Sequence, residues 1–275
     1  MPLPPTSRFS DRVADYVKAR PGYPESLVPR LQAIGGLPRR GHVADIGCGT
    51  GISAALLLQF GYEVTGVEPN APMREAAERA LGHDARFHSV AGTAEATTLA
   101  DRSVDAIFAA QAFHWFDPPA ARAEFRRILR SPQSGAGAGP VTLVWNDRRL
   151  DGSDLLVAYE ALLQRFAIDY NQVNHRRIDD AAVDAFFDGG EVRSFTLENV
   201  QRLDRDGLRG RLRSSSYVPA PDHPQHAPMM AELDRIFDRC QRGGEVEVVY
   251  DVRVWVGWFG LPFSRSALVT AHKPD

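Results

Sequence analysis

Cysteine and long apolar segments are both scarce in this sequence. Its 275 residues include only Cys48 and Cys240, which are far apart and lack the spacing of metal ligands. So few cysteines argue against a disulfide framework and favour a reducing compartment. No segment approaches the ~20 consecutive apolar residues of a membrane-spanning helix. Residues 1–10 contain three prolines in place of the apolar core of a signal peptide. These absences predict a cytoplasmic protein without a membrane partner or a metal site.

The sequence also lacks an excess of either charge. Lys and Arg total 32 against 35 Asp and Glu, so the formal net charge is -3. Because a general nucleic-acid binder carries a basic excess, this balance disfavours nucleic acid as a partner. The length is sufficient for one large α/β domain, or for one domain with a substantial insertion.

Strand and helix patterns alternate through the first half of the chain. Strands are predicted at 42–46, 62–67, 86–90, 104–110, 141–145, 191–200 and 245–259. Helices are predicted at 11–20, 25–34, 52–60, 71–81, 119–129, 155–170, 204–213 and 228–241, with a helical turn at 181–187 that faces the site. The alternation predicts βαβ units and a mainly parallel sheet, to which the last two strands add an antiparallel edge.

The most informative motif is the glycine-rich loop 47–51, which follows Asp45 at the end of the first strand. Glycines allow positive φ and the close approach of a ligand, and the next helix begins with free N–H groups. A dinucleotide fingerprint would place its last glycine at Ile52, but Gly51 comes one residue early. This spacing disfavours a nicotinamide-dependent oxidoreductase, and Asp45 favours an amine-bearing ligand over a pyrophosphate.

Glu68 closes the second predicted strand. In isolation it would be an exposed charge at a strand end. After a glycine loop at this interval, its carboxylate favours ribose binding, because it can accept hydrogen bonds from both ribose hydroxyls.

These segments resemble the class I S-adenosylmethionine-dependent methyltransferases. Residues 43–51 look like the first motif of that family, and 68–70 with Met73 look like the second. Residues 92–95, ahead of 103–105, are similar to the segment on the adenine side.

Two further segments resemble the type 11 methyltransferases related to trans-aconitate methyltransferase. They are residues 9–24 at the N-terminus and 110–116 after the fourth strand. The resemblance covers essentially the whole chain, although its specific motifs lie within residues 9–117.

The resemblance implies a Rossmann-like α/β fold, with a seven-stranded, mostly parallel sheet of order 3-2-1-4-5-7-6 and helices on both faces. It implies a single domain, 1–275. That domain would comprise an N-terminal helical cap (1–40), a cofactor-binding core (41–147), substrate-side helices with a late strand (148–245) and a C-terminal strand (246–275).

The resemblance also assigns cofactor contacts. Gly47, Cys48, Gly49 and Gly51 would line the methionine part, and Asp45 would act near its amino group. The remaining contacts would be Glu68 on the ribose, Pro69 or Met73 flanking adenine, Thr93, Ala94 and Glu95 at the adenine edge, Gln111 near the methionine part, and Tyr16 and Arg20 closing over the cofactor. A plain surface helix is the alternative for Tyr16 and Arg20.

Methyl transfer from a sulfonium is an in-line displacement, so the protein mainly aligns and desolvates the nucleophile. A base is needed only if the nucleophile carries a proton. His114 is the candidate base, and the alternative is a packing role in its turn. Trp115 is predicted to wall the site or to belong to the core, and Asn146 to face the site or to cap its strand.

Four residues are predicted to contact the substrate, namely Tyr23, Arg213, Ser216 and Tyr217. Arg213 could pair with a carboxylate, beside the hydroxyls that follow it. A helix cap followed by a loop is the alternative.

The sequence therefore predicts an enzyme that uses S-adenosylmethionine, leaves S-adenosylhomocysteine, and methylates an oxygen of a small carboxylate or hydroxyl acceptor, as a monomer or homodimer. Three alternatives stay open. They are N- or C-methylation of a small metabolite, methylation of RNA or protein, and a module that binds the cofactor without catalysis.

Overall fold

Seven strands and eight helices make up the part of the chain that the computed structural model describes, residues 19–130, 139–168, 170 and 179–260. The strands are β1 (His42–Ile46), β2 (Glu63–Val67), β3 (Phe87–Val90), β4 (Ala106–Ala110), β5 (Val141–Arg148), β6 (Glu191–Leu203) and β7 (Val246–Trp258). The helices are α1 (Leu27–Ala33), α2 (Ile52–Gln59), α3 (Ala71–Leu81), α4 (Pro118–Ile128), α5 (Asp154–Phe166), α6 (Asp180–Phe187), α7 (Arg205–Arg213) and α8 (His226–Cys240).

The strands form one sheet in the order β3-β2-β1-β4-β5-β7-β6. The first five are parallel, and β7 pairs antiparallel with both β5 and β6. The predicted order and the antiparallel edge are therefore confirmed. The registers bring Ile46, Val67 and Val90 level with one another, so the residues that follow β1, β2 and β3 meet at one edge of the sheet.

Alternate side chains of the parallel strands enter two separate cores. Val43 packs with α1 and α2 on one face, and Ala44 packs with α4 and α6 on the other. Helices therefore cover both faces, as predicted, and near-continuous apolar strands are the sequence pattern of such a doubly covered parallel sheet.

The second half adds a third core. Helices α5, α7 and α8 pack together over the first half of β7, around Leu163, Leu212, Leu233 and Val248. Strands β6 and β7 pair along their full lengths, from Glu191 opposite Trp258 to Leu203 opposite Val246.

Most predicted boundaries lie within a few residues of the observed ones. β5 continues three residues beyond its predicted end, because it pairs with β7 as far as Arg148 opposite Tyr250. The predicted helix 155–170 ends at Phe166. The predicted turn 181–187 is the helix α6, and the prediction that it faces the site is wrong, because Val183, Phe186 and Phe187 are buried in the core that contains α4.

Most of the predicted helix 11–20 lies outside the described residues. Within the described ranges, no helix is long and apolar enough to cross a membrane.

Candidate active site

The loop between β1 and α2 is shaped by three glycines in the left-handed region. Their φ angles are +70° at Gly47, +57° at Gly49 and +87° at Gly51. A Cβ at Gly47 would lie 2.6 Å from the Cβ of Ala112, and one at Gly51 would lie 2.7 Å from the Cδ1 of Leu81. Both the backbone conformation and the space therefore require glycine at these two positions.

A cavity of about 400 Å³ lies at the carboxyl edge of the parallel strands. Parallel α/β sheets bind ligands at this edge. Of the predicted cofactor residues, those that line the cavity are Arg20, Gly47, Cys48, Gly49, Glu68, Pro69, Met73, Thr93, Ala94, Glu95 and Gln111. The predicted catalytic and substrate residues that line it are Tyr23, His114, Trp115, Asn146, Ser216 and Tyr217.

Three predicted site residues within the described ranges are not among the lining residues. Asp45 and Gly51 lie behind the loop surface, and Arg213 is absent from the cavity wall. Tyr16 lies outside the described residues. The roles assigned to individual residues stay predictions.

Glu68 fastens the glycine loop to the end of β2. Its Oε2 accepts a hydrogen bond from the Gly49 N–H at 3.0 Å, and its Oε1 accepts one from the Asn70 N–H at 2.8 Å. Burial raises the pKa of Glu68, and these two N–H groups act against that rise. Because each carboxylate oxygen has a second lone pair, Glu68 can hold the loop and still accept two ligand hydroxyls.

Asp45 lies fully buried beneath the same loop. Its Oδ2 accepts a hydrogen bond at 2.6 Å from the Oγ of Ser53, a residue that lines the cavity. Its Oδ1 is buried without a hydrogen-bond partner among the described residues, and so is the Oγ1 of Thr50 in the loop. Burial, reinforced by the charge of Glu68, raises the pKa of Asp45 to about 7.

Buried polar atoms are nearly always hydrogen-bonded, so these two oxygens point to a polar ligand. A donor that carries positive charge would satisfy Asp45 and would favour its ionised form. The residues under the loop therefore fit the amine-bearing part of S-adenosylmethionine.

Gln111 links the ends of β4 and β5. Its φ of +57° is a left-handed conformation that non-glycine residues rarely adopt and that often occurs at functional sites. Its backbone N–H donates to the Val144 carbonyl at 2.9 Å, and its Nε2 donates to the Asn146 carbonyl at 2.9 Å. Because Gln111 and Asn146 both line the cavity, these bonds fix that part of its wall.

His114 lies between two indoles on that wall. Its ring centroid is 4.4 Å from the ring of Trp115 and 4.9 Å from the ring of Trp145. The imidazole is thus held in an aromatic wall that faces the cavity.

The segment 19–24 covers the cavity from the N-terminal side. The Gly22 carbonyl accepts hydrogen bonds from the Nδ2 of Asn146 at 3.2 Å and from the Nδ2 of Asn199 at 2.8 Å. The Ala19 carbonyl accepts one from the Nε2 of Gln201 at 2.9 Å, and the Nη2 of Arg20 donates to the Ser214 carbonyl at 2.9 Å. Strand β6 and the end of α7 therefore hold this cover in place.

The structure also adds residues that the sequence reasoning missed. Trp145 lines the cavity, although the sequence analysis gave it no role beyond the end of the predicted strand 141–145. On α7 the buried arginine is Arg211, which is 7% exposed, and not Arg213. The helical spacing of Leu208, Arg211 and Leu212 on one face carried the signal that could have found it.

Comparison with known proteins agrees with this geometry. Residues 44–148 match the family described as methyltransferase domain. An uncharacterized methyltransferase-like protein of Schizosaccharomyces pombe is 31% identical over 247 residues, which cover 88% of this chain and 91% of that protein. The chain belongs to the class I S-adenosylmethionine-dependent methyltransferase family.

Other relatives of this methyltransferase match over a shorter length. An uncharacterized methyltransferase of Mycobacterium tuberculosis is 37% identical over 140 residues, 51% of this chain and 52% of that protein. A Saccharomyces cerevisiae protein, named as an S-adenosylmethionine-dependent methyltransferase, is 32% identical over 47% of this chain and 46% of its own. These alignments span about half the length of the curated relatives.

Solved structures show the same fold. A type II methyltransferase from Anaeromyxobacter dehalogenans superimposes with a TM-score of 0.61 at 24% identity, over 87% of this chain and 98% of its own. The YcgJ protein from Bacillus subtilis gives 0.52 at 18% identity, over 86% and 98%. At these identities the likeness supports the fold of the methyltransferase and not its acceptor.

Proposed function

We propose that this methyltransferase transfers the methyl group of S-adenosylmethionine to an oxygen of a small carboxylate or hydroxyl acceptor, leaving S-adenosylhomocysteine. The observation that carries the proposal is the single cavity of about 400 Å³, lined at one side by the glycine loop and Glu68 and at the other by aromatic and polar side chains. The cover formed by segment 19–24 favours a small acceptor over a macromolecule.

When bound, the cofactor would supply a methyl group already activated by its positive sulfonium. On the protein side, Glu68 would hold the ribose hydroxyls and Asp45 would act on the amino group through Ser53 or water. Arg20, which lines the cavity, would pair with the carboxylate of the cofactor. Pro69, Met73, Thr93, Ala94 and Glu95 would surround the adenine, and Gly47, Cys48, Gly49, Gly51 and Gln111 would line the methionine part. Tyr16 keeps its predicted role as a cover.

The wall around His114 would position the acceptor. Trp115 and Trp145 present flat apolar surfaces that exclude water from the reacting atoms, which strengthens alignment and charge interactions. A carboxylate acceptor would need no base, whereas a hydroxyl acceptor would give its proton to His114. Asn146 would contribute a polar group at the end of β5.

The coarser predictions about the whole protein also remain proposals. They are one domain over 1–275, a cytoplasmic location, a monomeric or homodimeric state, and no nucleic-acid partner.

Transfer of a labelled methyl group tests the acceptor chemistry. The protein is incubated with methyl-labelled S-adenosylmethionine and fractionated metabolite extract, and the labelled product is then treated with mild alkali. Release of labelled methanol identifies a carboxyl methyl ester, and an alkali-stable small product identifies an ether or an N- or C-methyl group. An N- or C-methyl product, or label in RNA or protein, would contradict the proposal. Cofactor binding without transfer to any fraction would instead support a non-catalytic module.

A further inference from the structure

A buried polar cluster lies directly behind Tyr217 on the cavity wall. We call it the tyrosine–arginine cluster, and it consists of Arg148, Tyr159, Glu160, Tyr170, Arg211 and Tyr250. The rings of Tyr170 and Tyr217 meet edge to face with centroids 5.0 Å apart. Tyr217 thus lines the cavity and also contacts a member of the cluster.

Arg148 in this cluster has its own counter-charge. Its Nη2 donates to the Oε2 of Glu160 at 2.5 Å, and the Tyr170 hydroxyl donates to the same oxygen at 2.7 Å. The guanidinium also lies over the ring of Tyr159, 5.0 Å from its centroid. This pair is therefore neutral overall.

Arg211 has no such partner. It is 7% exposed, and its Nε donates to the Tyr250 hydroxyl at 2.9 Å while its Nη1 donates to the Ser215 Oγ at 3.1 Å. Among the described residues, no carboxylate lies within ion-pair distance of its guanidinium. Because the cluster contains two arginines and one glutamate, it carries one uncompensated positive charge. Burying an unpaired charge is costly, so the site favours an anion.

Tyr159 supplies a second unused donor. Its hydroxyl is buried without a hydrogen-bond partner among the described residues. Burial raises the pKa of Tyr159, against the opposing charges of Arg211 and Arg148, so the hydroxyl keeps its proton. Arg211 and Tyr159 together therefore offer several free N–H and O–H groups in one buried place.

We propose that Arg211 and the Tyr159 hydroxyl form the anion-binding end of the acceptor site and hold a carboxylate of the acceptor, remote from the group that receives the methyl. This inference rests on the proposed function. A carboxylate matches the single excess charge and the planar guanidinium, whereas a dianionic phosphate would exceed that charge. Ser215, which Arg211 contacts, is followed directly by the cavity residues Ser216 and Tyr217. Neither Arg211 nor Tyr159 lines the cavity, so the proposal requires the Tyr217 ring, which lines the cavity and contacts Tyr170, to turn aside when the acceptor binds.

Calorimetry on the protein saturated with S-adenosylhomocysteine tests the proposal. The probes are unbranched dicarboxylates from succinate to suberate, with their diamides as neutral controls. The wild type should bind at least one diacid and not its diamide. Arg211→Gln should weaken that binding by about 10- to 100-fold, as expected for losing charge-assisted hydrogen bonds. Arg209→Gln is the matched control, because Arg209 lies on the same helix and pairs with Asp234 at 2.7 Å.

The Tyr159→Phe variant separates a role of the hydroxyl in binding the diacid from a role in stabilising the fold. Removing a buried hydroxyl that has no partner should leave the melting temperature unchanged or higher, because an unsatisfied group is unfavourable. If that hydroxyl binds the carboxylate, diacid affinity should nevertheless fall, by about fivefold. This variant also keeps the test valid if Arg211→Gln does not fold.

Three results would overturn the inference. They are a wild type that binds S-adenosylhomocysteine but no diacid, an Arg211→Gln protein that binds diacids as the wild type does, and a Tyr159→Phe protein with unchanged diacid affinity. Failure of the wild type to bind S-adenosylhomocysteine would count against the proposed function itself.

Discussion

The glycine-loop end of the cavity and the tyrosine–arginine cluster carry buried charge of opposite sign and are built in different ways. At the loop, Asp45 and Glu68 are buried carboxylates that lie within 24 consecutive residues of one βαβ unit. In the cluster, Arg148 has a side chain that is 9% exposed and Arg211 is buried. Arg148 lies on β5 and Arg211 on α7, and their partners Glu160 and Tyr250 lie on α5 and β7. The first arrangement favours a positive ligand and the second a negative one. A methyl donor that bears a sulfonium and an anionic acceptor would each lie where the protein complements its charge.

The largest predicted effect is the dependence of protein stability on pH, and it tests the buried carboxylates at the glycine-loop end of the cavity. Because burial raises the pKa of Asp45 to about 7, the folded protein holds a proton there that the unfolded chain releases near pH ~4. The unliganded protein should therefore lose stability as the pH rises through this window, by up to about 4 kcal/mol, and no more above it. Thermal and chemical unfolding at pH 5 and pH 8 measure the part of this loss that falls between them, about 3 kcal/mol, and Asp45→Asn should abolish it.

Cofactor binding should depend on pH in the opposite sense. An amine-bearing ligand favours the ionised Asp45, so affinity for S-adenosylhomocysteine should rise by up to about tenfold between pH 6 and pH 8. Affinity that is flat across this range in the wild type would show that Asp45 does not sense the amine.

The next prediction concerns how replacing Glu68 changes the affinity for the cofactor product. Glu68→Ala should weaken S-adenosylhomocysteine binding by about 3 kcal/mol, roughly 100-fold, since it removes charged acceptors for two hydroxyls. Glu63→Ala is the control, because Glu63 begins the strand that Glu68 follows but is exposed and pairs with His88 at the surface. Equal affinity of the two variants, measured by calorimetry, would exclude the ribose assignment.

A smaller effect tests whether the loop is held in a rigid shape. Gly51→Ala should destabilise the protein by about 1–2 kcal/mol through its left-handed backbone, and by further overlap with Leu81. Gly152→Ala is the matched control, since Gly152 has a φ of +91° and open space around its Cβ position. The difference between the two free energies of unfolding isolates the packing contribution, and no difference would mean that the loop adjusts.

The smallest effect is expected at His114 if the acceptor is a carboxylate, as proposed. His114→Gln should change kcat by less than about threefold for a carboxylate acceptor, which needs no base, but by about 100-fold for a hydroxyl. Steady-state rates with the acceptor identified by alkali treatment decide between the two. A 100-fold loss with a carboxyl ester product would mean that His114 positions the acceptor instead.

The contrast between the two ends also explains what the sequence could predict. Asp45, the glycine loop and Glu68 are consecutive features of one unit, so their spacing predicted both a cofactor pocket and its place in the sheet. The strand order came from the resemblance, and the observed pairing confirms it. By contrast, no pattern within one segment indicates that Arg148 and Arg211 share a cluster, because β5 and α7 meet only through long-range packing.

Two features of the second half depend on tertiary packing. Arg213 stays a predicted substrate contact, chosen because it precedes a run of hydroxyl residues, whereas the core that faces α7 buries Arg211. The segment 181–187 was expected at the site, although Phe186 and Phe187 pack into an apolar core on the other side of the sheet from α1 and α2. Which partner an amphipathic face meets is a tertiary property.

The cover over the cavity has a consequence for how this enzyme can diverge. Three of the hydrogen bonds that hold segment 19–24 end on main-chain carbonyls, two on Gly22 and one on Ala19. These acceptors persist whatever side chains the segment carries. After gene duplication, Pro21 and Tyr23, which line the cavity, can therefore be replaced by other residues while these three hydrogen bonds remain. New acceptor preferences can arise there by point substitution, without rebuilding the fold that binds the cofactor.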